Sequence, residues 1–243
     1  MYARAKNGWS GRSSIQSSTA WNIGASGTAT DELPHAGVRV DEWVFAAWLP
    51  DGSAGFVSGH RLVGRRAWYW FGLAQAGYPM LHLTEWDVTL RSDPFTVKAP
   101  EMWAEHHCVA PFRQWTVGNE GHAAALDDAD EALGRAYGIP TAMAADVEWY
   151  AIGGATPVAV PDGAGYEQVG VAHGVIELVD RPFLELDEAP AHRWRRWGLS
   201  ELGPIELDEV VAHTGLRVGF AFPDGTTSDW VLGPSGWRAR RRR

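Results

Sequence analysis

The stretch Glu42–Leu62 reads EWVFAAWLPDGSAGFVSGHRL. It is read as two strands joined by a tight turn at Pro50-Asp51-Gly52. Proline presets φ for turn entry, and glycine accepts the positive φ that follows. The flanks are rich in Val, Phe and Trp and carry no helical spacing, which is strand-like.

The same reading extends outward. Residues 66–74 (RAWYWFGLA) and 81–90 (LHLTEWDVTL) form a second pair, and 108–126 reads as two more strands bent at Gly118 and Gly121. Strands resume at 144–152, 165–178, 183–189, 192–198, 210–222 and 228–233. Pro-Asp-Gly recurs at 161–163 and 223–225. Residues 127–140 (DDADEALGRAYGIP) are expected as the one helix, capped by Asp127 or Asp128 and stopped by Gly138 and Pro140. The expectation is an all-β fold of two related antiparallel modules, 38–126 and 144–237, bridged by a helical linker at 127–143. A loose arm (1–37), pinned by Trp9 and Trp21, precedes them. An Arg-rich tail (238–243), read as solvated, follows. So many antiparallel strands must hide their edges, as sandwiches and closed barrels do.

Composition narrows the function. Fourteen tryptophans with 28 glycines suggest curved sheets around a wide interior. The net charge is −9 although five arginines crowd the last six positions. An acidic body repels phosphate backbones, so no nucleic-acid partner is expected. The lone Cys108 rules out an internal disulfide framework, which fits a reducing cytoplasm. No signal-like run and no apolar run of spanning length is read, so no membrane span is expected.

No nucleophile elbow, phosphate loop, dinucleotide fingerprint or metal-spaced Cys/His motif is present. No cofactor and no metal are expected. In Glu105–Cys108 (EHHC), strand alternation sends His106 and His107 to opposite faces, one inward and one outward.

Candidate site residues are polar groups set among apolar ones. In 144–152, Asp146, Glu148 and Tyr150 share one face, and Val147 and Trp149 the other. Either the Trp149 face packs on the core, or the acid face lines a cavity and Glu148 is an acid of raised pKa. In 165–178, Glu167, Val169, Val171 and His173 share a face; outward valines being unfavourable, that face is expected inward. His213 on 210–222, and His60, Tyr69 and Trp115 in the first half, complete the polar and aromatic set. In His192–Gly198 (HRWRRWG), His192, Trp194 and Arg196 alternate with Arg193, Arg195 and Trp197. Two readings stand: a cation-capped sheet with cation–π pairs, or a pocket wall formed by Trp194 with His192 at its rim.

YEQVGVAHGVIEL (166–178) followed by AHRWRRWG (191–198) resembles the second half of the double-lipocalin family that includes bacterial carotenoid hydratases. APFRQWTVGNEGHAAALDD (110–128) is similar to the joint after that family's first half. The family more often has His-Ser-Trp-Gly where Arg195 and Arg196 precede Trp197-Gly198 here. The resemblance implies two lipocalin-like barrels or half-barrels with an apolar pocket, acting on an isoprenoid, polyene, polyketide or steroid. The expected function is cofactor-independent cyclisation, hydration or isomerisation, as in natural-product biosynthesis. Glu148, Glu167, His173 and His213 are the catalytic candidates; His60, Tyr69, Trp115, Tyr150 and Trp194 are the ligand-binding ones. The alternative is a non-catalytic binder of a hydrophobic ligand.

Overall fold

The computed structural model describes residues 27–210 and 215–241. The chain is all-β. Its strands are β1 (Val40–Trp48), β2 (Ala54–Val63), β3 (Arg66–Gln75), β4 (Met80–Thr89), β5 (Thr96–Ala99), β6 (Met102–Ala110), β7 (Gln114–Leu126), β8 (Ile139–Ala151), β9 (Thr156–Pro157), β10 (Gly163–Leu178) and β11 (Leu184–Gly198). A smaller sheet holds β12 (Glu209–Val210), β13 (Arg217–Ala221), β14 (Thr227–Gly233) and β15 (Gly236–Arg240).

The hairpin over 42–62 forms as read, with β1 antiparallel to β2 and Gly52 at φ 72° in the turn. From there one sheet runs β4-β3-β2-β1-β11-β10-β8-β7, and β4 pairs β7 to close the ring. β6 and β5 continue from β7. The two stretches expected as separate modules therefore share one barrel, joined through β1–β11, β7–β8 and β4–β7. Closure supplies the reason, because neither half alone removes its edges.

β1 is buried on both sides. Trp43, Phe45 and Ala47 point inward. Val44 and Ala46 point outward, where with Val57, Trp68 and Trp70 they pack on Val218, Phe220, Trp230, Leu232 and Trp237 of the smaller sheet. A strand covered on both faces reads as a continuous apolar run, as 43–48 does. Glycine permits the closeness of this packing: a Cβ on Gly59 would lie 2.0 Å from ring atoms of Trp70.

Residues 127–140 do not form the expected helix. Asp128 does cap a start, accepting from the Asp130 amide, but only a single 3-10 turn, Ala129–Leu133, follows. Gly134 leaves helical geometry at φ −146°, and Leu133 packs over Gly219 on β13. Within residues 27–37, expected as part of a loose arm, Glu32 is anchored and fully buried at one end of the barrel, while most of its neighbours stay exposed. Trp9 and Trp21 lie outside the described residues. The Arg tail is partly structured, since Arg240 ends β15 and its Nη1 donates to Asp130 Oδ1 at 2.9 Å.

An ionic cluster sits in the seam between barrel and outer sheet. Glu42 is held by Arg61 (Nε–Oε2 2.8 Å) and Arg196 (Nε–Oε1 2.8 Å), and Arg61 also reaches Asp224 at 3.2 Å. Burial works to raise the Glu42 pKa, but Arg196 and Arg61 together outweigh it and the carboxyl is held below its usual range. Replacing Glu42 by Gln leaves two buried guanidinium groups under-compensated. Urea unfolding should show a loss of about 3–5 kcal/mol, the cost of breaking a buried pair; a change under about 1 kcal/mol would show the cluster to be solvated.

Candidate functional site

Strand alternation lines the barrel interior, and its chemistry changes from end to end. On β2 the inward residues run Ala54, Phe56, Ser58, His60; on β7, read in the same direction, Ala123, Asn119, Val117, Trp115; on β11, Leu184, Leu186, Ala191, Arg193. One end is apolar, a neutral polar belt follows, and the far end is charged.

The charged end is a floor made by Gly27–Pro34. Arg193 donates to both Glu32 oxygens, at 2.8 and 2.6 Å, and its Nε donates to Gln168 Oε1 at 3.0 Å. Arg195 pairs with Asp41 and donates to the carbonyls of Asp31 and Leu33, each at 2.8 Å. Both guanidinium groups lie against indoles: Arg195 is 3.9 Å from the Trp43 ring centroid, and Arg193 is 4.8 Å from that of Trp149. Each floor arginine has its carboxylate beside it, Glu32 for Arg193 and Asp41 for Arg195.

The belt carries no fixed charge. Ser58 Oγ and His106 Nε2 are 3.1 Å apart, and Asn119 Nδ2 donates to the Tyr69 hydroxyl at 2.7 Å. The His60 and His106 rings lie 5.7 Å apart, walled by Trp43, Phe45, Phe95 and Trp115. Burial pushes His60 down to about 4, against a weaker upward pull from Asp93. Burial, reinforced by His60, takes His106 well below the ordinary imidazole range. Burial lifts Tyr69 to about 12, although hydrogen bonds with Ser58 and Asn119 oppose it. Both imidazoles and the phenol are thus neutral at pH 7. Three buried polar atoms of the belt have no hydrogen-bond partner, His60 Nε2, His106 Nδ1 and Asn119 Oδ1, and neither have Trp115 Nε1 and Trp149 Nε1, on the indoles beside Arg193. Glu85 continues the inward face of Leu81 and Leu83, opposite Tyr69 on β3. Burial, then the charge of Glu101, raises its pKa.

His60, Tyr69 and Trp115 therefore meet in the interior. Glu148, Tyr150, Glu167 and His173 do not: they lie on the outer face. On β8 the Trp149 face is the core face, the first of the two readings. On β10 the expected orientation is reversed. Tyr166, Gln168, Gly170 and Ala172 face inward, and Val169 is half-exposed. The cause is volume, since a Cβ on Gly170 would sit 2.5 Å from the Trp149 indole. Outside, Tyr150 donates to Glu148 at 2.7 Å and stands edge-on to His173 at 5.7 Å. Trp194 Nε1 donates to Glu167 at 3.0 Å, and the Trp194 indole packs on Trp230 of the smaller sheet. His213 lies outside the described residues. His106 and His107 do face opposite ways. Among the described residues no group of three or more His, Cys, Asp or Glu is placed to hold a metal.

Asn119, Ser58, Glu85 and Glu32 were not singled out in the sequence. The signal for Asn119 and Ser58 was available: each is a polar residue in phase with an inward apolar face. Glu32 had none, because it lies outside any periodic segment.

No family model matches the chain, and neither a curated protein nor a solved structure matches it.

The interior histidines carry a pH signature. His60, His106 and the outer-seam His82, also lowered to about 4 by burial, titrate near 6.5 in the unfolded chain. Below that pH the unfolded state binds more protons, so stability falls as pH drops from about 6.5 towards 4. Each group contributes up to about 1.4 kcal/mol per pH unit in that window and nothing to the slope above it. Urea unfolding at a series of pH values should show this loss, and His60→Phe and His82→Phe should each flatten it.

Proposed function

We propose that the barrel interior is a binding chamber for an uncharged, hydrophobic small molecule carrying hydroxyl or carbonyl groups at one end. The supporting observation is that five polar atoms of the barrel interior, three on the belt and two on the indoles beside Arg193, have no hydrogen-bond partner. A buried donor or acceptor without a partner costs about 1–3 kcal/mol. Apolar residues of similar shape would fill this space more stably, so a polar belt that serves folding alone is disfavoured. The two indole N–H groups need acceptors, and Asn119 Oδ1 needs a donor. A hydroxyl-and-carbonyl head meets both demands. A charged head is opposed: the belt is neutral and the floor arginines are already matched by Glu32 and Asp41. The apolar end, lined by Phe56, Leu73, Leu81 and Leu184, suits the remainder of such a ligand. This is the ligand class that the double-lipocalin resemblance implies.

The neutral imidazole pair favours a second reading, a cofactor-independent isomerase, hydratase or cyclase. Glu148 and Glu167 lie outside the chamber, so in this reading Glu85 is the acid and His60 or His106 the base.

Nile red, uncharged and carbonyl-bearing, serves as probe, with the anionic anilinonaphthalene sulfonate as contrast. Nile red should bind and quench tryptophan emission while the anion does not. His60→Phe and Asn119→Leu should each weaken binding about tenfold or more, the value of one buried hydrogen bond, yet hold or raise the melting temperature. Equal binding of both dyes, or variants that bind Nile red as the wild type does, would refute the chamber. Organic extracts of the purified protein, incubated with it and followed by mass spectrometry, test the enzymatic reading: a product lost in Glu85→Gln supports it.

A further inference from the structure

Both ends of the barrel are obstructed. The floor is sealed by Gly27–Pro34 on Arg193 and Arg195. At the other end two hairpin turns meet, residues 76–79 between β3 and β4 and residues 179–183 between β10 and β11. Gln75 Nε2 donates to the Pro182 carbonyl at 3.3 Å, Arg181 Nη1 donates to the Pro79 carbonyl at 2.9 Å, and Arg181 lies over the Tyr78 ring at 5.1 Å. In the strand order these turns are separated by β2 and β1 one way and by β7 and β8 the other. Their contact therefore spans the mouth.

The side wall has a weaker place. β4 pairs β7 only through Met80–His82. Beyond that point the edge of β4 that faces β5 and β6 has no strand partner among the described residues, and β5 is bonded only to β6. β4 also bends there, with a register shift against β3 between Ala67 and Tyr69 and Asp87 at φ 55°. Across this seam lies Phe95, in the link between β4 and β5. Its ring is 5.0 Å from Trp43, 6.3 Å from His60 and 5.7 Å from Trp115, all belt residues, yet Phe95 itself is only partly buried. One side chain thus touches both solvent and the belt. It is held by a short clasp: the Phe95 amide donates to Asp93 Oδ1 at 3.0 Å, Thr96 Oγ1 donates to Asp93 Oδ2 at 2.9 Å, and the His106 amide donates to the Phe95 carbonyl at 3.2 Å.

We propose that the seam between β4 and β5–β6 is the entrance to the chamber and that Phe95 is its stopper. Separating the seam breaks no strand-to-strand hydrogen bond, whereas opening the ring elsewhere breaks a ladder. A rotation of the Phe95 ring places solvent directly against His60, whose Nε2 is otherwise sealed. Glu85 stands on the inward face of β4 beside the seam. The inference rests on the chamber reading for what passes through, but the path itself is testable with no ligand.

Diethyl pyrocarbonate acylates neutral imidazole, and the modified histidine is located by peptide mass spectrometry. In Phe95→Ala the modification rate of His60 should rise about tenfold or more, while the exposed His107 is modified at the wild-type rate; Phe95→Trp should leave His60 protected. Arg181→Ala, which frees the mouth, should leave the His60 rate unchanged. Circular dichroism confirms the fold, and Phe95→Leu replaces Phe95→Ala if the latter unfolds. Nile red association and dissociation should both accelerate about tenfold in Phe95→Ala with little change in Kd, because a stopper acts on rates and not on affinity. An unchanged His60 rate in both Phe95→Ala and Phe95→Leu, or acceleration in Arg181→Ala instead, overturns the side entrance. Exposure of His60 with no dye binding in any form keeps the entrance and overturns the chamber.

Discussion

Three arginines within four residues of β11, Arg193, Arg195 and Arg196, organise the molecule. Alternation sends Arg193 and Arg195 into the barrel and Arg196 out of it, and each finds a different acid: Glu32 in the sealing segment, Asp41 on the inward face of β1 and Glu42 on its outward face. A buried ion pair adds little net stability against an apolar substitute, because desolvation offsets attraction. Its effect here is on register. A one-residue slip of β11 against β1 would turn Arg196 inward and strand Arg193 and Arg195 against the tryptophans of the outer sheet. Three guanidinium groups would then lose their partners together. The floor, the joining of the two halves at β1–β11 and the docking of the outer sheet through Glu42 and Arg61 all follow from this one alignment.

The legible part of the sequence was local. The 42–62 hairpin and the opposed faces of His106 and His107 follow from period-two alternation and turn chemistry, which need no knowledge of the rest of the chain; the same alternation separated Trp149 from Glu148 but left open which of them faces inward. Long-range pairing was less visible. The division at 127–143 looked like a linker between two units because its composition shifts, yet β7 and β8 on either side pair along nearly their full length. A hairpin with a long connection and a boundary between modules have the same sequence signature. The helix expectation failed for a related reason: capping residues were present, but the contact of Leu133 with Gly219 and the glycine at 134 decided the conformation.

The inversion of β10 shows where face assignment by hydrophobicity breaks down. Val169, Val171 and His173 are the larger, greasier set, and Gly170 and Ala172 the smaller. Burial there is governed by available volume, not apolarity, because Trp149 from β8 already occupies the space beneath. On β10 the glycine phase beside the tryptophan-bearing β8 is therefore the inward one. Close packing likewise places Gly59 beneath Trp70 and Gly72 beneath Phe220, there on the outer face.

In the proposed chamber the interior gradient would couple fold to recognition. Arg193 and Arg195 are matched by Glu32 and Asp41, so selectivity at the belt would come from its unpaired donors and acceptors. Such groups discriminate by omission: a guest lacking the matching polar atom leaves them still unpaired, at a cost of about 1–3 kcal/mol each. Apolar contacts from Phe56, Leu73 and Leu184 discriminate far less, since an extra methylene changes binding by only about 0.8 kcal/mol. The proposed chamber would be strict about the head of its guest and tolerant about the tail. Neutral His60 and His106 would keep it strict, because a protonated imidazole would draw in anions that the rest of the belt is not built to hold.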